Sequence, residues 1–198
     1  MNLFIDTHSK NLNIGLLKKE KLIDSVSMES NNSHSINTIY NIDLLFKHNN
    51  ITPKDIDKIF VINGPGSFTG VRIGVTIAKT LAWTLNLPII PLSSLELVAL
   101  STTKYDYVIP IIDAKRGFVY GAIYDKLGNI ILEDQYIKLD FLKEKTNELD
   151  GSFKIISIEE LEEINIEEII KHHINDSTSN PHLINPNYLK KTEAEEKF

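Results

Sequence analysis

Apolar and polar positions alternate between two rhythms along the chain. Residues 3–6 form a short apolar run closed by Asp6, which predicts a buried strand with a carboxylate at its C-terminal end. Residues 11–17 and 22–28 are similar runs, separated by the polar turn Lys18-Lys19-Glu20-Lys21, so the three segments predict an antiparallel meander. The polar cluster from Glu29 to Ser33 predicts a loop, and Ser33 or Ser35 caps a helix reaching about Asn49. Ile36, Tyr40 and Leu44, with Ile39 and Leu45 one residue off the strict period, predict its buried face.

The next segments read as alternating helices and strands. Thr52-Pro53-Lys54-Asp55 carries a cap, a first-turn proline and an acid, which start a short helix. Residues 59–62 predict a strand, 63–70 a glycine-rich turn, 69–85 a helix and 87–92 another strand. Ser93 and Glu96 have capping-box spacing for a helix over 94–103. A second unit begins near Tyr105, with strands at 108–113, 118–124 and 130–139, and a hairpin turn at 125–129. Asp140 can cap a helix through Glu148, 153–158 is a strand, and the Glu-rich stretch 159–172 reads as one helix or two short ones. The polar tail from Asn175, with Pro181 and Pro186, reads as mostly irregular.

Phe4-Ile5-Asp6 followed by a strand resembles Ile111-Ile112-Asp113 followed by a strand. A true duplication predicts two lobes of one topology, divided as 1–103 and a smaller 104–198. Actin-like and sugar-kinase-like folds are built that way, and there acids at such strand ends hold a metal and phosphates.

The segment Asn63-Gly64-Pro65-Gly66-Ser67-Phe68-Thr69-Gly70-Val71-Arg72-Ile73-Gly74 is the most informative. Gly64 and Gly66 permit positive φ, and Ser67 or Thr69 can cap the helix that follows. Amides at a helix start favour an anion. The spacing, however, matches neither dinucleotide nor P-loop fingerprints, and Phe68 stands at the mouth of the turn. A tight structural turn, a protein contact and a phosphate cradle all remain open. The helix is apolar on two faces, with Arg72, Thr76, Lys79 and Trp83 on the remaining stripe, and Gly70 and Gly74 permit close approach. Arg and Trp on such a stripe suit a protein interface, although Trp83 could equally complete the core.

Composition narrows the chemistry. The chain has no cysteine, which excludes disulfides, thiolate metal sites and a cysteine nucleophile. Its net charge of −6 is uneven: residues 1–100 carry 9 Lys/Arg against 8 Asp/Glu, and 101–198 carry 12 against 19. No basic stripe is evident, so RNA binding by the chain alone is not expected. The start of the sequence does not read as a signal peptide and no window is apolar enough to span a membrane, which predicts a cytoplasmic protein. His8, His34, His48, His172, His173 and His182 form no metal motif. Asp6 and Asp113 are the acids with a positional argument, and Lys115 and Arg116 follow the second. They suggest a nucleotide site, active or vestigial. The active reading is a Mg-nucleotide phosphotransferase or hydrolase.

The string from Asn63 to Gly74, continuing to Ala78-Lys79 and Pro91-Leu92-Ser93-Ser94-Leu95-Glu96, resembles the TsaB (YeaZ) family. Phe4-Ile5-Asp6-Thr7, His34-Ser35, Ile112-Asp113-Ala114-Lys115-Arg116, Val119-Tyr120, Asn187-Tyr188-Leu189-Lys190 and Ala194-Glu195 extend the likeness over nearly the whole chain. The resemblance implies an α/β, actin-like (ASKHA, ribonuclease H-like) two-lobed fold with mixed sheets and a reduced second lobe. It implies a non-catalytic subunit, without cofactor or metal of its own, of the assembly that makes N6-threonylcarbamoyladenosine at tRNA position 37. The transferase would be a TsaD-type partner, joined by a TsaE-type ATPase, with tRNA met only through the complex. A catalytic TsaD-like chain needs two His four apart on a helix, and here His34 is followed by Thr38. The helix after the glycine turn would face TsaD through Gly66, Phe68, Gly70, Arg72, Gly74, Thr76, Lys79 and Trp83. The isolated chain would pair with itself through the same helix.

Overall fold

The computed structural model describes residues 1–30, 33–102, 104–161 and 163–190. Asn31 and Asn32 of the expected loop, Thr103 at the expected lobe boundary, and Ala194 and Glu195 lie outside the described residues. In chain order the elements are β1 Asn2–Asp6, β2 Asn11–Lys18, β3 Lys21–Glu29, α1 His34–His48, β4 Lys58–Gly64, α2 Phe68–Leu85, β5 Ile89–Ser93 and α3 Ser94–Leu100. There follow β6 Tyr107–Asp113, β7 Phe118–Asp125, β8 Ile130–Lys138, α4 Leu139–Thr146, β9 Phe153–Ser157 and α5 Ile166–His173. No helix is long and apolar enough to cross a membrane among the described residues.

The chain divides into two units. The first is Met1–Ser94 with Ile166–Pro186, and the second is Leu95–Asn165 with the residues from Asn187 onward. The expected division at 103/104 therefore misses a return, because residues 166–186 rejoin the first unit.

The sheet of the first unit has the order β3-β2-β1-β4-β5. β1, β2 and β3 form the expected antiparallel meander, and β4 and β5 add in parallel. The pleat sends Leu3 and Ile5 of β1 and Ile59 and Val61 of β4 to one face. There they meet Ile42, Leu45 and Phe46 of α1 and Val71, Val75, Ala78 and Ala82 of α2. Each such Val or Ile side chain taken fully from water contributes about 1.5–3 kcal/mol. α5 lies against the opposite face. Gly15 makes room for it, since a Cβ there would stand 3.2 Å from side-chain atoms of Ile166. Ile166, Ile169 and Ile170 of α5 are buried, at the i, i+3, i+4 spacing of one helix face.

The second unit repeats this plan with one strand fewer: its order is β8-β7-β6-β9. β6 pairs antiparallel with β7 and parallel with β9, as β1 does with β2 and β4. Asp6 ends β1 and Asp113 ends β6, so the two acids occupy equivalent places in equivalent sheets. Leu95, Val98 and Ala99 of α3 pack on one face with Val108, Ala122 and Tyr124, and Leu142 of α4 packs on the other with Ile109, Val119 and Ile123.

One expectation about packing fails. Ile36, Ile39, Tyr40 and Leu44 of α1 are exposed, and the face against the sheet is Thr38, Asn41, Ile42, Leu45 and Phe46. α1 carries two apolar stripes, and the sheet takes the one that includes Leu45. The tail is mostly irregular, as expected, but it is tied down: Pro181–Leu183 is a 3-10 turn, Ser179 pairs with Ile89 of β5, and Ile184 is 4% exposed within the core.

Candidate functional site

The glycine-rich turn seats α2 on the β1–β2 connection. Gly64 has φ 117° and the Gly64–Pro65 peptide is cis. Ser67 caps α2, its Oγ accepting from the Gly70 amide at 3.2 Å, and its own amide donates to the His8 carbonyl at 2.7 Å. A Cβ on Gly66 would stand 2.5 Å from the His8 carbonyl oxygen. On Gly70 it would stand 2.1 Å from the Thr7 carbonyl oxygen, and on Gly74 2.4 Å from Thr7 Oγ1. The three glycines thus turn inward, toward their own sheet. That corrects their assignment to a partner interface: the close approach they allow is to Thr7 and His8.

Asp6 is buried and fully engaged. Its Oδ1 accepts from the His8 amide at 3.0 Å and lies 2.6 Å from His8 Nδ1, while its Oδ2 accepts from Asn13 Nδ2 at 2.9 Å. Ser27 Oγ donates to Asn13 Oδ1 at 2.8 Å and extends the chain of bonds. Burial alone would raise the Asp6 pKa. The charge of His8 and the hydrogen bonds from His8 and Asn13 outweigh it and hold the carboxyl below its ordinary value. A carboxylate spent on three internal donors has little left for a metal. Asp113 is exposed instead, and accepts from the Lys115 amide at 2.8 Å and from Lys115 Nζ at 2.6 Å. Arg116 is exposed beside it. Among the described residues no three His, Asp or Glu gather into a candidate metal site.

The outer side of α2 sets two large exposed aromatic residues, Phe68 and Trp83, among Thr69, Arg72, Thr76, Thr80 and Thr84. Trp83 is 66% exposed, its ring edge-on to His182 at 6.0 Å, so it does not complete the core. Phe68 is 52% exposed, and the Arg72 guanidinium stacks 3.8 Å from its ring centroid. Thr76 is exposed between them. Lys79 differs: its Nζ donates to the Ile184 carbonyl at 2.6 Å, so it clamps the returning segment to α2 rather than reaching outward. Beside α2, α1 presents Ile36, Ile39 and Tyr40, the first 73% exposed. Sequence reasoning missed this second helix because it counted those residues as core. The available signal was the second stripe, Ile42, Leu45 and Phe46, since a helix with two apolar faces has two neighbours to satisfy.

Comparisons with known proteins agree with this architecture. The family model described as "TsaD: tRNA N6-adenosine threonylcarbamoyltransferase" matches residues 26–154. The tRNA threonylcarbamoyladenosine biosynthesis protein TsaB of Bacillus subtilis is 40% identical over 151 residues, covering 72% of this chain and 66% of that protein. The chain therefore spans just under two thirds of that relative. The Escherichia coli protein of the same name is 36% identical over 106 residues, covering 50% of this chain and 46% of that one. A solved Pseudomonas aeruginosa structure described as similar to peptidase YEAZ superposes with TM-score 0.75 at 18% identity, covering 96% of this chain and 99% of that one. A second, YeaZ from Pseudomonas aeruginosa, gives TM-score 0.60 at 25% identity, covering 69% and 67%. The fold class is the α/β, actin-like and ribonuclease H-like one, with mixed sheets and a smaller second unit.

Proposed function

The chain belongs to the TsaB (YeaZ) family, and we propose that it serves tRNA threonylcarbamoyladenosine synthesis as the non-catalytic partner that holds a TsaD-type transferase in its active form. The observation that carries this reading is the outer layer made by α1 and α2, where Ile36, Ile39, Tyr40, Phe68 and Trp83 are all more than half exposed. Large apolar side chains gathered on one side of two neighbouring helices mark an interaction surface. Arg72 stacked on Phe68, with Trp83 on the same helix, supplies the aromatic and guanidinium anchors that dominate binding energy. A partner helix pair laid across them would bury the layer as a helix bundle buries its seam.

The non-catalytic part of the reading rests on chemistry. Asp6 is consumed by His8 and Asn13, Asp113 by Lys115, and His34 has Thr38 where a metal-binding helix would have a second His. A TsaE-type ATPase completes the assembly, and the tRNA is modified there. Alone, the chain pairs with a copy of itself through the same face, which a partner then replaces.

The test is co-purification with the TsaD-type protein. Ile39→Asp combined with Trp83→Asp is expected to abolish the complex while leaving the far-UV circular dichroism of the isolated chain unchanged, because both residues are at the surface. The same double variant is expected to sediment as a monomer at low micromolar concentration. A complex that survives the double substitution places the docking surface elsewhere and ends this reading.

A further inference from the structure

We infer that the second unit carries a contact site for single-stranded RNA, a stack of aromatic rings flanked by cations at the end of β7 and β8. The inference deepens the proposed function by giving the tRNA a point of contact on this chain, and its test does not depend on the transferase.

The strand register builds the platform. Phe118 lies opposite Lys138, and Tyr120 opposite Tyr136, so all four side chains leave the same face of the sheet. The Phe118 and Tyr136 rings are parallel within 7°, with centroids 4.7 Å apart, and Tyr120 sits 5.8 Å from Tyr136. All three rings keep part of their surface in solvent. Two ammonium groups rest on this stack: Lys138 Nζ at 6.0 Å from the Phe118 centroid and Lys190 Nζ at 5.2 Å from that of Tyr136. Arg116 is exposed in the turn that leads into Phe118. Among the described residues, no ion pair with a carboxylate involves Arg116, Lys138 or Lys190. Lys115, by contrast, is neutralised by Asp113.

The turn itself is held in an uncommon form. Lys115 has φ 67°, Arg116 57° and Gly117 77°. Two consecutive residues with side chains in the left-handed region are costly and are kept where surrounding bonds fix them. Here the Ala114 amide donates to the Phe118 carbonyl, the Phe118 amide to the Lys115 carbonyl, and the Leu139 amide to the Gly117 carbonyl. The turn is thus tied to the start of β7 and to the first residue of α4, which directly follows β8.

Among the described residues, three cations without a carboxylate partner thus stand beside three clustered rings, in a half-chain with an excess of seven acids. Cations alone would suit any anion. Rings with cations resting on them suit a base that stacks while its flanking phosphates take the lysines. The charge count along the chain hides this, because these cations converge from three separate segments of an acidic half-chain.

The test is fluorescence anisotropy of a labelled anticodon stem–loop RNA titrated with the isolated chain, at two salt concentrations. Wild type is expected to bind with micromolar affinity that weakens as salt rises. Lys138→Glu with Lys190→Glu is expected to weaken binding at least tenfold and to flatten the salt dependence by about 0.7 in log–log slope per lost phosphate contact. Tyr136→Leu keeps an apolar side chain in place, and is expected to weaken binding about fivefold or more without changing that slope, as loss of stacking requires. Circular dichroism checks that each variant is folded. Co-purification with the transferase is expected to survive all three substitutions, which separates this site from the α1–α2 face. No measurable binding by folded wild type at 100 µM (about the scale of weak non-specific binding), or equal binding by the charge-reversed variant, overturns the proposal.

Discussion

Gly70 is packed against Thr7 so closely that a Cβ on the glycine would stand 2.1 Å from the Thr7 carbonyl oxygen, while Thr7 Oγ1 donates to the Gly70 carbonyl at 2.7 Å. The two residues are one joint between β1 and α2. The glycine-rich string acts first as a seat for the helix, and only the side chains pointing away from that seat are left for a partner.

Gly70→Ala is therefore expected to destabilise the chain by about 3 kcal/mol, at the upper end of overpacking costs, although alanine favours a helix over glycine. Urea unfolding measures it as a fall in the transition midpoint. An unchanged or raised midpoint would show that α2 does not rest on Thr7. Thr76→Ala, on the exposed side of the same helix, is expected to stay within about 0.5 kcal/mol of wild type.

Stability should fall in acid because of Asp6. Its carboxyl is held below 3.8 in the folded chain. The contribution is therefore complete above the unfolded value and disappears as pH drops through the lower, folded one. Asp6→Asn removes the charge and sets an amide against Asn13, at a cost on the order of 3 kcal/mol near neutral pH. Comparing urea midpoints of both proteins from pH 6 to pH 3 checks this: the gap should narrow below about pH 4. A constant gap would rule out a charged Asp6 in the folded protein.

Ile184→Ala should cost about 2–4 kcal/mol, as expected of a buried isoleucine. Lys79→Met should add to it by releasing the carbonyl of the same residue. Thermal unfolding of both variants measures the anchoring. A loss below about 0.5 kcal/mol would mean that the segment only rests on the surface.

The fold was legible where a local rule governs. The meander, the helix after the glycine string, and the paired strand–acid–strand units all appear in the structure, because strand alternation, capping and the turn at residues 125–129 act over a few residues. What could not be read was which neighbour each apolar stripe meets. Ile36, Ile39 and Tyr40 have the spacing of a core face and so do Ile42, Leu45 and Phe46; only the position of the sheet decides between them. Glycines four apart announce a close approach without naming the element approached. Ile184 joins the same core as Leu3 from nearly the other end of the sequence, a partnership that no local window contains. The stack of Phe118, Tyr120 and Tyr136 was hidden for the same reason, since its members converge only when β7 and β8 pair in register.

The return of residues 166–186 to the first unit has a consequence for biosynthesis. The strands of both sheets, residues 2–93 and 107–157, leave the ribosome before this returning segment does. The N-terminal core closes only when Ile184 emerges and the Lys79 clamp is set. Until then the nascent protein carries an unfilled place in its first hydrophobic layer, which couples the packing of that layer to a segment translated about 90 residues after its last strand.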